Sequence, residues 1–500
     1  MEKIILNGHD LTLEQMDMVV NHGAFIEISA EAKQRLLDTR QLVFDLVDSD
    51  VPIYGFNTGV GWNKDKKVFK EFFHQYNENL IKSHCCSVGK PASLPETRAA
   101  MLARLNCLLV GCTGLSPEIP QMYADMLNRS IHPVIPERGS VGEADIVCLS
   151  HIGLAMIGEG EVAYKDKVVN AKEAFKAEGL ECVVLGPKDG LAIVSSNSFA
   201  AGQAALVLID IREMIEKGEL IYAMSLEALN GNTSPLDPET SKVRPYKGLV
   251  DSSANIRKQI EGSYIYNPDP DKPVQDPLSF RNAPHVFGAL RDAVDFAEKQ
   301  LLVQLNSSDD NPCLSLEQKS IMSCANFEPL PWVQAFEMLA VSIAHVSKSS
   351  CMRIIKIGSP EFTKLNRFLS VRPETICFGT VQKIFANLHA EICNMCNPVS
   401  FEGMPLAGDI EDVQTNAPLV AQKLRRIVDN LKYIYGLEIM HYAQAMDLRT
   451  DKCFGVFTKT ARDELRKKLD FYDYDRNVTK DVNAAYEFVK SDILLDITKK

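Results

Sequence analysis

The 500-residue chain lacks any run of about 18 uncharged apolar residues, so no membrane-spanning helix is expected. Its first residues, Met1-Glu2-Lys3-Ile4-Ile5-Leu6-Asn7-Gly8, lack the basic flank and apolar run of a secretory leader. Positive charge is short as well. With 54 Lys and Arg against 66 Asp and Glu, the net charge is -12, which argues against nucleic acid or an anionic membrane as partner. A small anionic substrate remains open, because a local site can oppose the global sign. The 13 cysteines are odd in number and scattered, and without a leader they read as reduced thiols of a cytoplasmic protein. Cys393-x-x-Cys396 has no second Cys/His pair at zinc-finger spacing. That pair therefore reads as small, buried apolar side chains on a helix, with no metal implied. Internal repeats and low-complexity linkers are absent too.

What is present is enough apolar material for a large core: 46% hydrophobic and 24% charged residues. Ser29 is placed to cap a helix from about Ala30 to Val47, with Leu36, Leu37 and Val43 on its apolar side. Short strands are expected within Gly160–Lys167 and Val168–Asn170. Further on, Phe287, Leu290, Val294, Ala297, Leu301 and Leu305 step by threes and fours, as do Leu424, Ile427, Val428, Leu431, Ile434 and Tyr435. Trp332 to Val346 is apolar nearly all round, which predicts a helix buried among helices. The fold class expected is therefore all-α. A mixed, loop-bearing region at 1–187 precedes a helical bundle at 188–500. Loops at Gly231–Pro245 and Tyr266–Pro277 are long enough to serve function or an interface.

Several short motifs stand in order along the chain. They are Tyr54-Gly-Phe-Asn-Thr-Gly-Val-Gly61, Ser83-His84, Gly139-Ser-Val-Gly142 with Asp145 and Leu149-Ser-His151, and Gln275-Asp-Pro-Leu-Ser-Phe-Arg281. Ser308-Asp-Asp-Asn-Pro312, Asn326-Phe327, Glu411-Asp412 and Asp447-Leu-Arg449 follow. Together they resemble the histidine/aromatic amino-acid ammonia-lyase family over roughly residues 50 to 450. The resemblance implies a long central helical bundle of the ammonia-lyase/fumarase-like type. It also implies a homotetramer whose active sites combine several subunits, and a small carboxylate-bearing substrate. In that family an Ala-Ser-Gly tripeptide cyclises and loses water to form a methylidene-imidazolone electrophile. Serine supplies the hydroxyl that leaves, and glycine is small enough for its nitrogen to close the ring.

This chain has only Glu143-Ala144 between Gly142 and Asp145, one residue short and without serine or glycine. The electrophile cannot form by the family route, and no cofactor is expected. Nearby positions also depart from the family pattern. Leu278 stands where a tyrosine is usual, Ser195-Ser196-Asn197 replaces Asn-Gly-Thr, Glu328 replaces a histidine, and Ile410 replaces a glutamine. The resemblance assigns Tyr54 as the proton-abstracting phenol, a role that needs nearby positive charge or hydrogen bonds to lower a pKa near 10. It assigns Arg281 as the carboxylate clamp, since a guanidinium fork matches two carboxylate oxygens. His84, Asn311 and Glu411 are the expected substrate-binding groups, and Glu328 is a second candidate carboxylate beside Glu143. Glu143 reads either as a new acid/base or cation partner, or as a charge at the N-terminus of the following helix. The expectation is a lyase or isomerase running on side-chain protons and charges. A non-catalytic binding homologue and an ammonia-lyase of unrecognised route are the alternatives.

Overall fold

The structure is a computed structural model that describes residues 3–47 and 53–499; Met1 and Glu2, the start of the segment read for a leader, lie outside them. Helices dominate, and the class is all-α as expected. The long periodic stretches are helices of 23 to 32 residues: Ser198–Leu229, Ala283–Leu305, Leu330–Ile357 and Ala417–Asp447. Every residue of the two apolar series is buried, from Phe287 to Leu305 and from Leu424 to Tyr435. The strands are short. Glu161–Tyr164 and Lys167–Asn170 form the expected antiparallel hairpin. Val88–Pro91 pairs with Pro136–Arg138, and Cys313–Ser315 with Ser320–Met322.

Packing divides the chain into two compact units. One comprises residues 1–209, 298–336 and 398–422, and the other 210–297, 337–397 and 423–500. The expected division at 187/188 marks where loops give way to long helices, and contacts group the chain differently.

In the first unit the Leu94–Leu109 helix is buried from Glu96 to its end. Ser93 and Glu96 cap it reciprocally, which satisfies backbone donors that the helix itself leaves open. A helix buried on every side must also place its polar residues. Arg104, wholly buried, pairs with Asp309 at 3.0 Å. Ser29 caps Ala30–Val47 as expected, its hydroxyl accepting from the Ala32 amide at 3.1 Å. Leu36 and Val43 are buried there, but Leu37 is 53% exposed, because it lies a further 100° round the helix.

In the second unit, buried Arg353 reaches Glu438 at 3.0 Å, and Arg291 bridges Glu216 and Glu219. The Leu330–Ile357 helix is not buried all round as expected. Met338 and Val341 are 41% and 47% exposed while Leu339, Ala340 and Ile343 are covered. Cys393 and Cys396 fall at the end of the Gln382–Met395 helix, but Cys393 is exposed rather than buried. One stretch, Asp189–Leu229, does pass a length-and-hydropathy test for a membrane span, against the expectation of none. Eighty-nine per cent of its apolar window is covered by the protein itself, as in a core helix.

Candidate active site

The turn from Gly139 to Asp145 leaves the Pro136–Arg138 strand and feeds the Ile146–Met156 helix. Asp145, fully buried, fixes its far end. Its Oδ1 accepts from Ser140 Oγ at 2.6 Å, its Oδ2 accepts from the Ala200 amide at 2.8 Å, and its own amide donates to the Ser196 carbonyl at 2.6 Å. Burial pushes its carboxyl up to about 7 despite these donors. Gly142 fixes the near end. It adopts φ +88°, and a Cβ there would lie 2.5 Å from both Thr415 Oγ1 and the Ala417 amide nitrogen. Only glycine permits that approach. The amides of Thr415 and Asn416 donate to the Val141 carbonyl at 3.2 and 2.7 Å, and Thr415 Oγ1 donates to the Gly142 carbonyl at 3.1 Å.

Glu143 and Ala144 span the gap between these two anchors, Ala144 in the left-handed region at φ +62°. The Glu143 carboxyl lies against the Glu328 carboxyl and the Thr415 hydroxyl. Its Oε1 is buried with no hydrogen-bond partner among the described residues. Burial first, and the negative charge of Glu328 second, push Glu143 up to about 8. Glu328 Oε1 accepts from the Leu330 amide at 2.9 Å, at the start of the Leu330–Ile357 helix. The loop before it is held by Asn197, whose side-chain amide donates to the Phe327 carbonyl. The Asn197 amide in turn donates to Asp309 Oδ2 at 2.9 Å. Two carboxyls thus meet at the turn where the family resemblance would put its electrophile. The cyclised tripeptide does not fit these residues. No hydroxyl-bearing residue stands between Gly142 and Asp145, and the Asp145 amide is committed to Ser196.

Tyr54 and Glu411 form a second grouping in the same unit. The Gly61 amide, at φ +55°, donates to the Tyr54 hydroxyl at 3.0 Å. A Cβ on Gly61 would sit 3.6 Å from Glu411 Oε1, so the carboxylate lies beside this amide. Burial raises the Tyr54 pKa above 10, the Gly61 amide opposes that, and Glu411 adds to it. The positive charge that a phenolate base was expected to need is therefore not what faces Tyr54; a backbone amide is. One loop links the two groupings, with Glu411 beside Gly61 and Thr415, four residues on, beside Glu143.

His84 is the last residue of the Phe73–His84 helix, where its Nδ1 lies 2.7 Å from the Leu80 carbonyl. That contact makes Nδ1 the donor and leaves Nε2 as an acceptor. Asn311 uses its side-chain oxygen to accept from the Cys324 amide at 2.9 Å and from Ser323 at 3.4 Å, so part of its polar capacity is spent on its own loop. Arg281 belongs to the second compact unit. Its Nε donates to the Asp276 carbonyl at 2.8 Å, and Asp276 accepts from the Asn232 amide at 2.6 Å, tying the two long loops together. Among the residues named from sequence, the structure brings together Glu143 with Glu328 and Tyr54 with Glu411. Thr415, Asn197 and Tyr76 were missed as site residues. Thr415 had a signal in its spacing from Glu411, and Tyr76 in its helical spacing of eight before His84. Nothing local marked Asn197 beyond its departure from the family pattern.

The profile of the family described as aromatic amino acid lyase matches residues 11–467. Histidine ammonia-lyase from Alkaliphilus metalliredigens is 32% identical over 502 residues, covering 100% of this chain and 99% of the relative. Its counterpart from Clostridium tetani is 33% identical over 505 residues, covering 100% and 98%. Among solved structures, the ergothioneine-degrading enzyme ergothionase from Treponema denticola, in complex with desmethyl-ergothioneine sulfonic acid, has a TM-score of 0.97. It is 44% identical, with 99% of this chain and 100% of that chain covered.

Proposed function

The chain belongs to the aromatic amino acid lyase family, and from that premise we propose that it expels a tertiary amine from a histidine-type betaine, with ergothioneine as the substrate. The observation that carries this reading is the acid pair at the turn: Glu143 against Glu328, with one buried oxygen unpartnered. Ammonia is a poor leaving group, and the family's electrophile exists to improve it. A quaternary ammonium leaves as a neutral amine and needs no such activation. A site for it needs negative charge instead, and a raised carboxyl beside a second carboxylate supplies that once a cation draws the proton off. The 44% identity to ergothionase supports the same substrate class.

In this mechanism Tyr54 takes the proton from the carbon beside the imidazole ring. The C–H electrons form the carbon–carbon double bond, and the C–N pair departs with the amine. Glu143 and Glu328 hold the ammonium end. His84 and Asn311 hydrogen-bond the polar ring end, with Glu411 next to Tyr54. Arg281 is assigned to the substrate carboxylate on family resemblance, in a homotetramer whose sites draw on several subunits. Met338 and Val341, apolar and exposed on a helix otherwise buried, are surfaces that a second copy would cover.

The test is direct. Purified protein is incubated with ergothioneine and, separately, with histidine. Release of trimethylamine together with a conjugated acrylate absorbance from the first alone is the expected result. Ammonia from histidine without turnover of ergothioneine would overturn the proposal.

A further inference from the structure

Tyr54 is buried beside a carboxylate, so something must stabilise its phenolate, and the one donor described so far is the Gly61 amide. The amide immediately before it, that of Val60, donates to another phenol, Tyr76. Two consecutive backbone N–H groups therefore each hold a tyrosine hydroxyl, and the two phenols lie close enough to repel one another electrostatically when charged. Successive amides arranged this way favour negative charge at the oxygens they face.

The sequence puts Tyr76 there for a physical reason. On the Phe73–His84 helix, Phe73, Asn77, Leu80 and Ile81 are buried, and Tyr76 and His84 are half-buried along the same stripe. The stripe docks on the Tyr54 loop through Phe73, whose ring lies 5.8 Å from that of Phe56. Asn77 locks the helix from the other side, its Oδ1 accepting from the Gly190 amide at 2.8 Å. Tyr76 thus sits at the Tyr54 end of a face whose other end, ~12 Å along the axis, carries His84. A phenol that accepts from Val60 still has its own O–H to give.

We propose that Tyr76 is a positioning residue for the base: its O–H donates to Tyr54 when Tyr54 is ionised, so that the phenolate is held by the Gly61 amide and a second phenol. This rests on the reading of Tyr54 as the base in the proposed elimination. No atom is transferred to Tyr76; it lends a hydrogen bond. The groups facing Tyr54 are the Gly61 amide, Glu411 and Tyr76, and those facing Tyr76 are the Val60 amide and Tyr54. Tyr76 adds a donor where Glu411 adds repulsion.

The experiment uses the full-length protein with tyrosines labelled at Cζ, titrated by NMR as wild type, Tyr54→Phe and Tyr76→Phe, alongside kcat and KM across pH. Removing the Tyr76 hydroxyl should move the Tyr54 ionisation up by about one pH unit and lower kcat near neutrality by about tenfold, with KM changed less than about twofold. Tyr54→Phe should in turn shift the Tyr76 resonance titration, which reads the coupling without altering Tyr76. Unchanged midpoints in both variants, or a loss confined to KM, would overturn the proposal. If the wild type turns over no betaine, the proposed substrate fails, while the titrations still decide whether Tyr76 supports Tyr54.

Discussion

Glu143 keeps its proton into mildly alkaline solution, and that has a consequence for stability that can be signed. Its folded pKa, about 8, is above the unfolded value of 4.5, so between those limits the folded state binds more protons than the unfolded one. Stability is then fully present at low pH and falls as pH rises through that window. Asp145, raised to about 7 by burial, acts in the same direction. Glu143→Gln should therefore melt close to wild type at pH 5 and higher than wild type at pH 8. An equal loss at both pH values would mean that the carboxylate is a stabilising structural charge. Because a bound cation favours the ionised pair, binding of a betaine near pH 7 should release protons, measurable as a buffer-dependent enthalpy in calorimetry. Tyr54→Phe leaves the pocket's shape almost unchanged but removes the base. It should cut turnover by at least about a hundredfold while ergothioneine still raises the melting temperature. Loss of that thermal shift along with turnover would point to a binding role for the phenol.

At the scale of elements, the turn from Gly139 to Asp145 is held at both ends by contacts distant in sequence: residues 415–417 at one and residues 196–200 at the other. Gly142→Ala must either abandon φ +88° or push against Thr415 and Ala417. The cost is about 1–3 kcal/mol for the backbone conformation, before any clash. A lower melting temperature, and activity reduced further than stability explains, are the expected outcome; a neutral variant would show that the turn is not rigid. The helices were the most legible part of the sequence, because a 3.6-residue apolar period survives any tertiary context. Phe287 through Leu305 and Leu424 through Tyr435 are buried as their spacing required. Leu37 and Cys393 were less legible, since an apolar or small side chain does not say whether anything covers it. Glu143 and Glu328 could each be picked out as departures from a family pattern. Their meeting could not be, since 185 positions separate them and the contact depends on Asn197 anchoring the Phe327 carbonyl.

At the scale of the whole molecule, an intact-mass measurement should return the mass of the unmodified chain, because Glu143-Ala144 cannot cyclise with loss of water. A deficit of two waters, mapped to residues 139–145, would remove the acid-pair reading. Light scattering should give a tetramer. The exposed Met338 and Val341 place one expectation on it: Val341→Glu should lower the oligomeric state, and with it activity, because the sites are proposed to be shared. A monomeric wild type with full turnover would refute that assembly. The fold class and the family were readable from ordered short motifs. The state of assembly was not, because nothing in one chain's periodicity distinguishes an apolar face turned to its own core from one turned to a neighbour.

The turn is one residue shorter than its relatives' pattern and anchored at both ends, so single-base changes cannot walk it back to a ring-forming tripeptide. Restoring the lost chemistry would take an insertion of a whole codon and, with it, room for an extra backbone unit between two pinned points. A lineage that took this step could go on adjusting which charged molecules it accepts, while return to its ancestral reaction became a matter of rebuilding rather than of reversion.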